Sequence, residues 1–377
     1  MHKNKVSIAI KRNGSFIGEF TGWKDITLTN DIDNLAKTLQ VSIIEDAKKN
    51  RPFQPSNDLL QALTIKKRDE YIVKIDGVQW GNGFIKSRQE KSNSRHHSII
   101  ITGTDKTIDI AHSSLIGNAN LTAPFTTTGL VNHILSHLGI TGISVINKTG
   151  RVDTYDKDFE VDNGNNAWKI LSRQLQKKSV FAITNAEGNI VLFQGSFDTN
   201  STQLISNRTN NKNNNVLEVD IIEDDEAVYN KIAIVSQSGG GLDAESSAEQ
   251  GGEDFSAFDN NIRKTRQLEI ASKVSMTSDE CQAKAKFETN FRKTKGDTKN
   301  FIVQGFFRAG TDFLWLPNFL TYIEVDYLNI KDYFLIKKVV FTQNIDTGSI
   351  TTLEMVDKNS YKITEPVVES SAGGFNF

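Results

Sequence analysis

The stretch YIVKIDGVQWGNGFI, residues 71–85, decides the fold class. Tyr71, Val73 and Ile75 alternate with polar residues, Asp76-Gly77 follows, and Val78 and Trp80 resume the alternation. Period-two alternation buries one face of a strand, and Asp-Gly tolerates the positive φ angles of a two-residue type I′ turn, so this stretch predicts an antiparallel hairpin. Upstream, Val6, Ile8 and Ile10 lead through Asn13-Gly14 to Phe16, Gly18 and Phe20 in the same way. After Trp23 the polar segment TNDIDNLAKT leads into a further alternating run at Leu39, Val41 and Ile43, and SIIIT at 98–102 predicts a buried strand. Residues 1–103 therefore predict a small antiparallel β domain of barrel type.

Downstream the period changes. Leu130, Ile134 and Leu138 lie four apart with Val131 and Leu135 beside them, which predicts a helix closed by Gly139. Ala167, Leu171 and Leu175 predict a second, with Asn163 or Asn165 near its start. Val180, Ala182 and Thr184 should pair with Ile190, Leu192 and Gln194 across a turn at Glu187-Gly188. Residues 104–215 thus predict a mixed α+β module that ends in the Asn-rich loop 206–215. Residues 216–361 return to β: Val219, Ile221, Tyr229, Ile232 and Ile234 read as strands, interrupted by a Gly/Ser/acidic loop at 236–254. A capping box at Thr277 and Glu280 opens a helix whose apolar face is Ala283, Phe287 and Phe291 and which Gly296 ends. Strands follow at 301–303, at 313–325 broken by Pro317, at 335–341 and at 351–355, the last two joined through Asp346-Thr347-Gly348. The tail 362–377 has no period and is expected to be flexible. The predicted class is α+β, mainly β: two small β-barrel domains with a mixed module between them.

The 377 residues suit two or three domains at about 150 residues each. A formal net charge of −2 gives no general field for nucleic acid, and the single cysteine, Cys281, excludes an intrachain disulfide. No apolar run has the length of a signal-peptide core near the start or of a membrane span anywhere.

The residues that could carry chemistry point to none. His133 and His137 have the i, i+4 spacing of two metal ligands, but Ile134 stands where the zinc-protease motif needs its Glu, and no third ligand is near. Cys281 sits in the predicted helix near Ala283 and Ala285, the setting of a small buried hydrophobe. His96-His97 reads as a polar strand edge, and Gly239–Gly241 lacks the Lys-Ser/Thr of a phosphate loop. The acidic run at Asp220 and Glu223–Glu226 reads as a solvated rim, and the basic positions between Lys284 and Lys299 as a solvated helix face. Catalytic, cofactor and metal sites are accordingly expected to be absent, and no enzyme activity is expected.

The order of the segments resembles the baseplate hub proteins of Mu-like contractile-tailed phages, which are related in fold to the T-even phage hub and to the N-terminal part of type VI secretion spike proteins. The residues carrying this are GWKDITLTNDIDNLAKTLQVSI, the hairpin at 71–85, ITGTDKTIDIAHSSL at 101–115, FEVDNGNNAWKILSRQLQKKSVFAITNAEGNIVLF, and the closing stretch from GTDFLWLPNF to EMVDKNSY. The loops at 206–215 and 236–254 have no counterpart in that pattern. The resemblance implies a homotrimer whose paired barrels form a pseudo-six-fold ring between the hexameric tail tube and the trimeric central spike. It implies tube and spike proteins as partners, the tape measure protein and baseplate wedge as further ones, neither nucleic acid nor membrane as a specific ligand, and a place in the virion tail after assembly in the host cytoplasm. A tail-associated peptidoglycan hydrolase and the hub of a tailocin or secretion injector are the alternatives. Trp23 and Trp80 are expected in barrel cores, and Trp315, beside Pro317, at a subunit contact.

Overall fold

The computed structural model describes residues 4–46, 54–161, 166–178, 180–206, 214–236, 254–272 and 278–361. Most of the Asn-rich loop, the Gly/Ser/acidic loop from 237 to 253, Thr277 of the capping box and the tail lie outside these residues. The fold is mainly β with few helices, as the sequence predicts at that level.

The first third holds β1 (Val6–Arg12), β2 (Ser15–Phe20), β3 (Asp25–Asp31), β4 (Thr38–Asp46), the short helix α1 (Asn57–Ala62), β5 (Glu70–Ile75), β6 (Val78–Ser92) and β7 (His96–Asp105). Both expected hairpins form. Asn13 and Gly14 have φ of 50° and 79°, Asp76 and Gly77 of 48° and 89°, the left-handed pair a type I′ turn needs. The middle holds α2 (Ile108–His112), β8 (Phe125–Thr126), α3 (Thr127–His137), β9 (Val145–Asn147), β10 (Thr154–Tyr155), α4 (Ala167–Lys177), β11 (Phe181–Thr184), β12 (Ile190–Phe193), β13 (Asp198–Thr199) and β14 (Leu204–Ser206). The last third holds β15 (Val216–Glu223), β16 (Lys231–Ser236), β17 (Asp254–Phe258), β18 (Gln267–Ser272), α5 (Ser278–Gly296), β19 (Asp297–Gln304), β20 (Phe319–Val325), a 3-10 turn (Asp326–Leu328), β21 (Ile330–Asn344) and β22 (Gly348–Asp357).

Fourteen strands form one sheet among the described residues, in the order β15-β19-β22-β21-β3-β4-β7-β6-β5-β1-β2, with β20 on β21 and β13 and β14 on β20. This path does not close on itself, and β2 and β15 are its ends. The first and last thirds meet where β3 lies antiparallel to β21, from Ile26 opposite Gln343 to Asp31 opposite Lys338. The expected polar connection TNDIDNLAKT is therefore corrected at its start, because Thr29, Asn30 and Asp31 finish a strand. Ile26, Leu28 and Asn30 are its buried face, and the polar Asn30 masks the alternation.

One core follows from that union. Ile8, Val41, Val73 and Ile101 from the first third pack in the same cluster as Phe301, Ile336, Phe341 and Leu353 from the last. Trp23 and Trp80 lie buried in it, as expected. Asn4 ties the two thirds by hydrogen bonds: its N–H donates to Ser349 Oγ (2.8 Å), its Oδ1 accepts from Phe306 N (3.1 Å), and Gln343 donates to its carbonyl (2.7 Å). A buried network in which every member is partnered rigidifies the junction it spans.

In the middle, α3 and α4 pack with β11 and β12 through Leu130, Ile134, Leu171, Leu175, Ala182 and Leu192. Gly139 (φ 67°) ends α3 as expected, with Gly139 N bonded to Ser136 O and Ile140 N to Leu135 O, the two bonds of a Schellman cap. The cap of α4 is Asn166, one position beyond the expected pair, with its side chain accepting from Lys169 N at 3.0 Å. β11 and β12 pair as expected, Thr184 opposite Ile190, and β12 runs parallel to β9.

Among the described residues, those from 4 to 221 with 298–356 form one compact unit, and those from 222 to 297 with 357–361 a second. In the second, β16 lies between β17 and β18, and Ile232 and Ile234 pack against Cys281 and Ala285 of α5. The stacked rings of Phe287 and Phe291, 5.4 Å apart, extend that helix face to Tyr361.

Candidate assembly surfaces

The two ends of the main sheet are strand edges carrying exposed apolar side chains. On β2, which among the described residues pairs only with β1, Phe16 is 63% exposed. On β15, at the other end, Leu217 is 59% exposed. An edge strand presents unpaired N–H and C=O groups, and soluble chains normally blunt such edges with charge or cover them. Phe16 and Leu217 place a large apolar side chain on each of these edges, which makes the edges candidate surfaces for strand addition.

A third surface is the loop between β19 and β20. Gly305 and Gly310, with φ of 78° and 74°, turn the chain, and Arg308 N to Phe313 O (2.9 Å) with Trp315 N to Phe306 O (3.2 Å) closes it as a small hairpin. The Arg308 guanidinium lies over the rings of Phe313 (5.1 Å) and Phe319 (5.4 Å). Trp315, expected at a subunit contact, is 2% exposed and packs in the main core. The outward side chains of the loop are Phe313, 65% exposed, and its neighbour Leu316. An arginine stacked between aromatics beside an exposed Phe has the composition of an interface hot spot.

The joint between the first β region and the middle module rests on buried polar groups that the sequence does not flag. Lys37, 2% exposed, donates from Nζ to the carbonyls of Trp80 and Asn185, both at 2.8 Å. Around it the 184–187 turn is held by Thr184 Oγ1 to Leu35 O, Gln79 Nε2 to Ala186 O and Asn82 Nδ2 to Glu187 O. Asp105 accepts the Lys37 N–H on Oδ2 (3.2 Å), while its buried Oδ1 has no hydrogen-bond partner. Burial pushes the Asp105 carboxyl up to about 6, against the pull of Lys37, and burial lowers Lys37 from its ordinary value.

A carboxyl with a raised folded-state pKa binds its proton more tightly folded than unfolded. Its contribution to stability is complete below pH 4 and lost as pH rises through 6. The span from 3.8 to about 6 corresponds to a loss of about 3 kcal/mol. Asp105→Asn should remove this slope, and urea midpoints at pH 4.5 and 7.5 measure it. Equal slopes in the two proteins would exclude Asp105 as its source.

The two helix histidines and the cysteine singled out in the sequence have packing or hydrogen-bond partners, and Gly239–Gly241 lie outside the described residues. His133 Nε2 lies 3.0 Å from Ala119 O and His137 Nε2 2.9 Å from Ile116 O. A ring nitrogen facing a carbonyl oxygen donates to it, so both histidines clamp the 116–119 loop to α3, and neither Nε2 is turned to a metal. Among the described residues no group of three His, Cys, Asp or Glu side chains could hold one. Cys281 is buried among Ile232, Ile234 and Ala285. Glu223, Asp224, Asp225 and Glu226 are all exposed, and His96 pairs with Asp46 at 2.8 Å on the β4–β7 edge.

No protein-family model matches the chain. It is 23% identical over 358 residues to baseplate hub protein gp44 of Escherichia phage Mu, covering 91% of this chain and 86% of that protein. Its fold matches the 43 kDa tail protein of prophage MuSo2 from Shewanella oneidensis with a TM-score of 0.75 and 18% identity, over 95% of this chain and all of the other. It also matches the E. coli c3393 protein, a type VI secretion component similar in structure to the T4 tail proteins gp27 and gp5, with a TM-score of 0.52 and 10% identity, over 97% of this chain and 79% of that one.

Proposed function

We propose that this chain, a homologue of the phage Mu baseplate hub over 91% of its length, is itself the structural hub of a contractile phage tail and has no enzymatic activity. The observation that carries the reading is the near full-length match, in sequence to the Mu hub and in fold to a prophage tail protein. The type VI match favours a second reading with the same architecture, the hub of a secretion injector or a tailocin.

In this reading residues 1–103 and 216–361 supply the two β-barrel domains, the second carrying the separate unit 222–297, and residues 104–215 the mixed module. The β3–β21 pairing that sets the first and last thirds side by side supports such a two-part subunit. Three subunits then make a pseudo-six-fold ring that adapts the hexameric tail tube to the trimeric spike, with tube, spike, tape measure and wedge proteins as neighbours in the virion baseplate. Subunits meet through the edges β2 and β15, an asymmetric contact that closes into a ring, and through the loop of Trp315, by way of its exposed neighbours Phe313 and Leu316.

Light scattering on the purified chain should give three times the 42.0 kDa subunit mass. Phe16→Lys with Leu217→Lys should leave the subunit folded and reduce the mass to one subunit, because a lysine on an edge opposes strand addition. A stable dimer or tetramer in assembled tails would overturn the ring.

A further inference from the structure

Two adjoining cavities of 430 and 390 Å³ lie beside β6, β7 and α2, and share Lys86, Thr104, Ile108 and His112 in their walls. Two cations reach this groove through unusual backbone. β6 pairs with β7 as Ile85 opposite Gly103 and then Ser87 opposite Thr102, so Lys86 is the extra residue of a β-bulge. A bulge re-aims the side chain it carries. Arg68 has φ of 73°, a left-handed conformation that disfavours a residue with a Cβ, and its N–H donates to Ile85 O at 2.8 Å. Strained backbone of this kind concentrates where a side chain is held for a purpose.

Both side chains are exposed, and neither makes an ion pair among the described residues. Between them the wall is apolar, with Phe84 and Ile108 half-buried, and Trp168 lines the second cavity. Asp31 and Asp109 also line the groove. Two exposed cations beside a half-buried apolar wall, with Lys338 in the wall of the second cavity and two carboxylates nearby, suit a ligand that carries single carboxylates and apolar side chains in turn. They suit a polyphosphate backbone poorly, because Asp31 and Asp109 would repel it.

We propose that this groove binds an extended peptide segment of a partner protein, with a carboxylate held by Arg68 and Lys86 and the adjoining apolar side chain on Phe84 and Ile108. The inference rests on the groove alone and is independent of the hub reading.

Fluorescence anisotropy on the full chain tests it. The probes are fluorescein-labelled acetyl-Gly-Glu-Phe-Asp-Leu-Gly-amide, the same peptide with Gln and Asn for its acids, and labelled oligo(dT). The acidic peptide should saturate, and the amide peptide should bind about tenfold more weakly, as loss of charge-assisted hydrogen bonds requires. Arg68→Asn, which tolerates the left-handed backbone, combined with Lys86→Gln should weaken the acidic peptide by a similar factor without moving the melting curve. Lys86→Gln alone supplies the same comparison if the double variant is unstable. Absence of saturation, equal binding of the two peptides, unchanged binding by the variants, or tighter binding of oligo(dT) would each overturn the proposal.

Discussion

Lys37→Met lowers the unfolding free energy by roughly 3–5 kcal/mol, the range for removing one partner of a buried charge pair. The substitution keeps the Lys37 backbone N–H on Asp105 but deletes the ammonium that satisfies the carbonyls of Trp80 and Asn185. Asp105 is left buried with a charge that only a backbone N–H faces. Its carboxyl, already raised to about 6 by burial, rises further once the cation is gone. The loss should therefore be largest above pH 7 and shrink toward pH 5, where Asp105 takes up its proton. Urea unfolding at both pH values measures it, and a loss under about 1 kcal/mol would show that the ammonium contributes little to the joint. Because the affected bonds cross from sheet to middle module, hydrogen exchange in the 184–189 turn should accelerate in the variant.

Trp315→Ala carries the second large effect, a destabilisation of about 3–5 kcal/mol from the cavity left in a packed core. Phe313→Ser and Leu316→Ser on the same loop should each cost no more than about 1 kcal/mol, since both side chains are partly exposed and Phe313 loses mainly its stacking with Arg308. Their effect should appear in the mass of the assembly. Chemical denaturation and light scattering on the same samples separate the two kinds of residue. A Trp315→Ala subunit that keeps its stability yet fails to assemble would place the indole itself at the contact.

The elements legible in the sequence are those whose turn chemistry is local. Asn13-Gly14 and Asp76-Gly77 each state a hairpin, and Gly139 states a helix end, because positive φ is a property of the residue itself. β3 is less legible. Its buried face includes Asn30, and its partner β21 lies almost the whole chain away. The short helix α1, capped by Ser56, has too few apolar positions to show a period. Lys37 reads as a surface residue because nothing in DNLAKTLQ shows that the 184–187 turn closes over it. The same applies to Lys86: a bulge is a mismatch of register between two strands, and one strand alone does not contain it. Trp80 is readable as core from its place in a strand and Trp23 from its place just before one, whereas the outward face of the Trp315 loop depends on how that loop folds back.

The pairing of β3 with β21 also governs the order in which the molecule can be made. β3 leaves the ribosome early, and its partner is almost the last strand to be synthesised; Asn4 and Ser349, which bond beside it, stand 345 positions apart. Until then β3 is an open edge on a growing sheet, the kind of surface that pairs with other nascent chains. Closing so long a loop is slow, since its entropy is lost before any contact compensates for it. The main sheet therefore cannot be completed until β21 has been made, and a truncation anywhere before β21 leaves a sticky fragment instead of a smaller working domain.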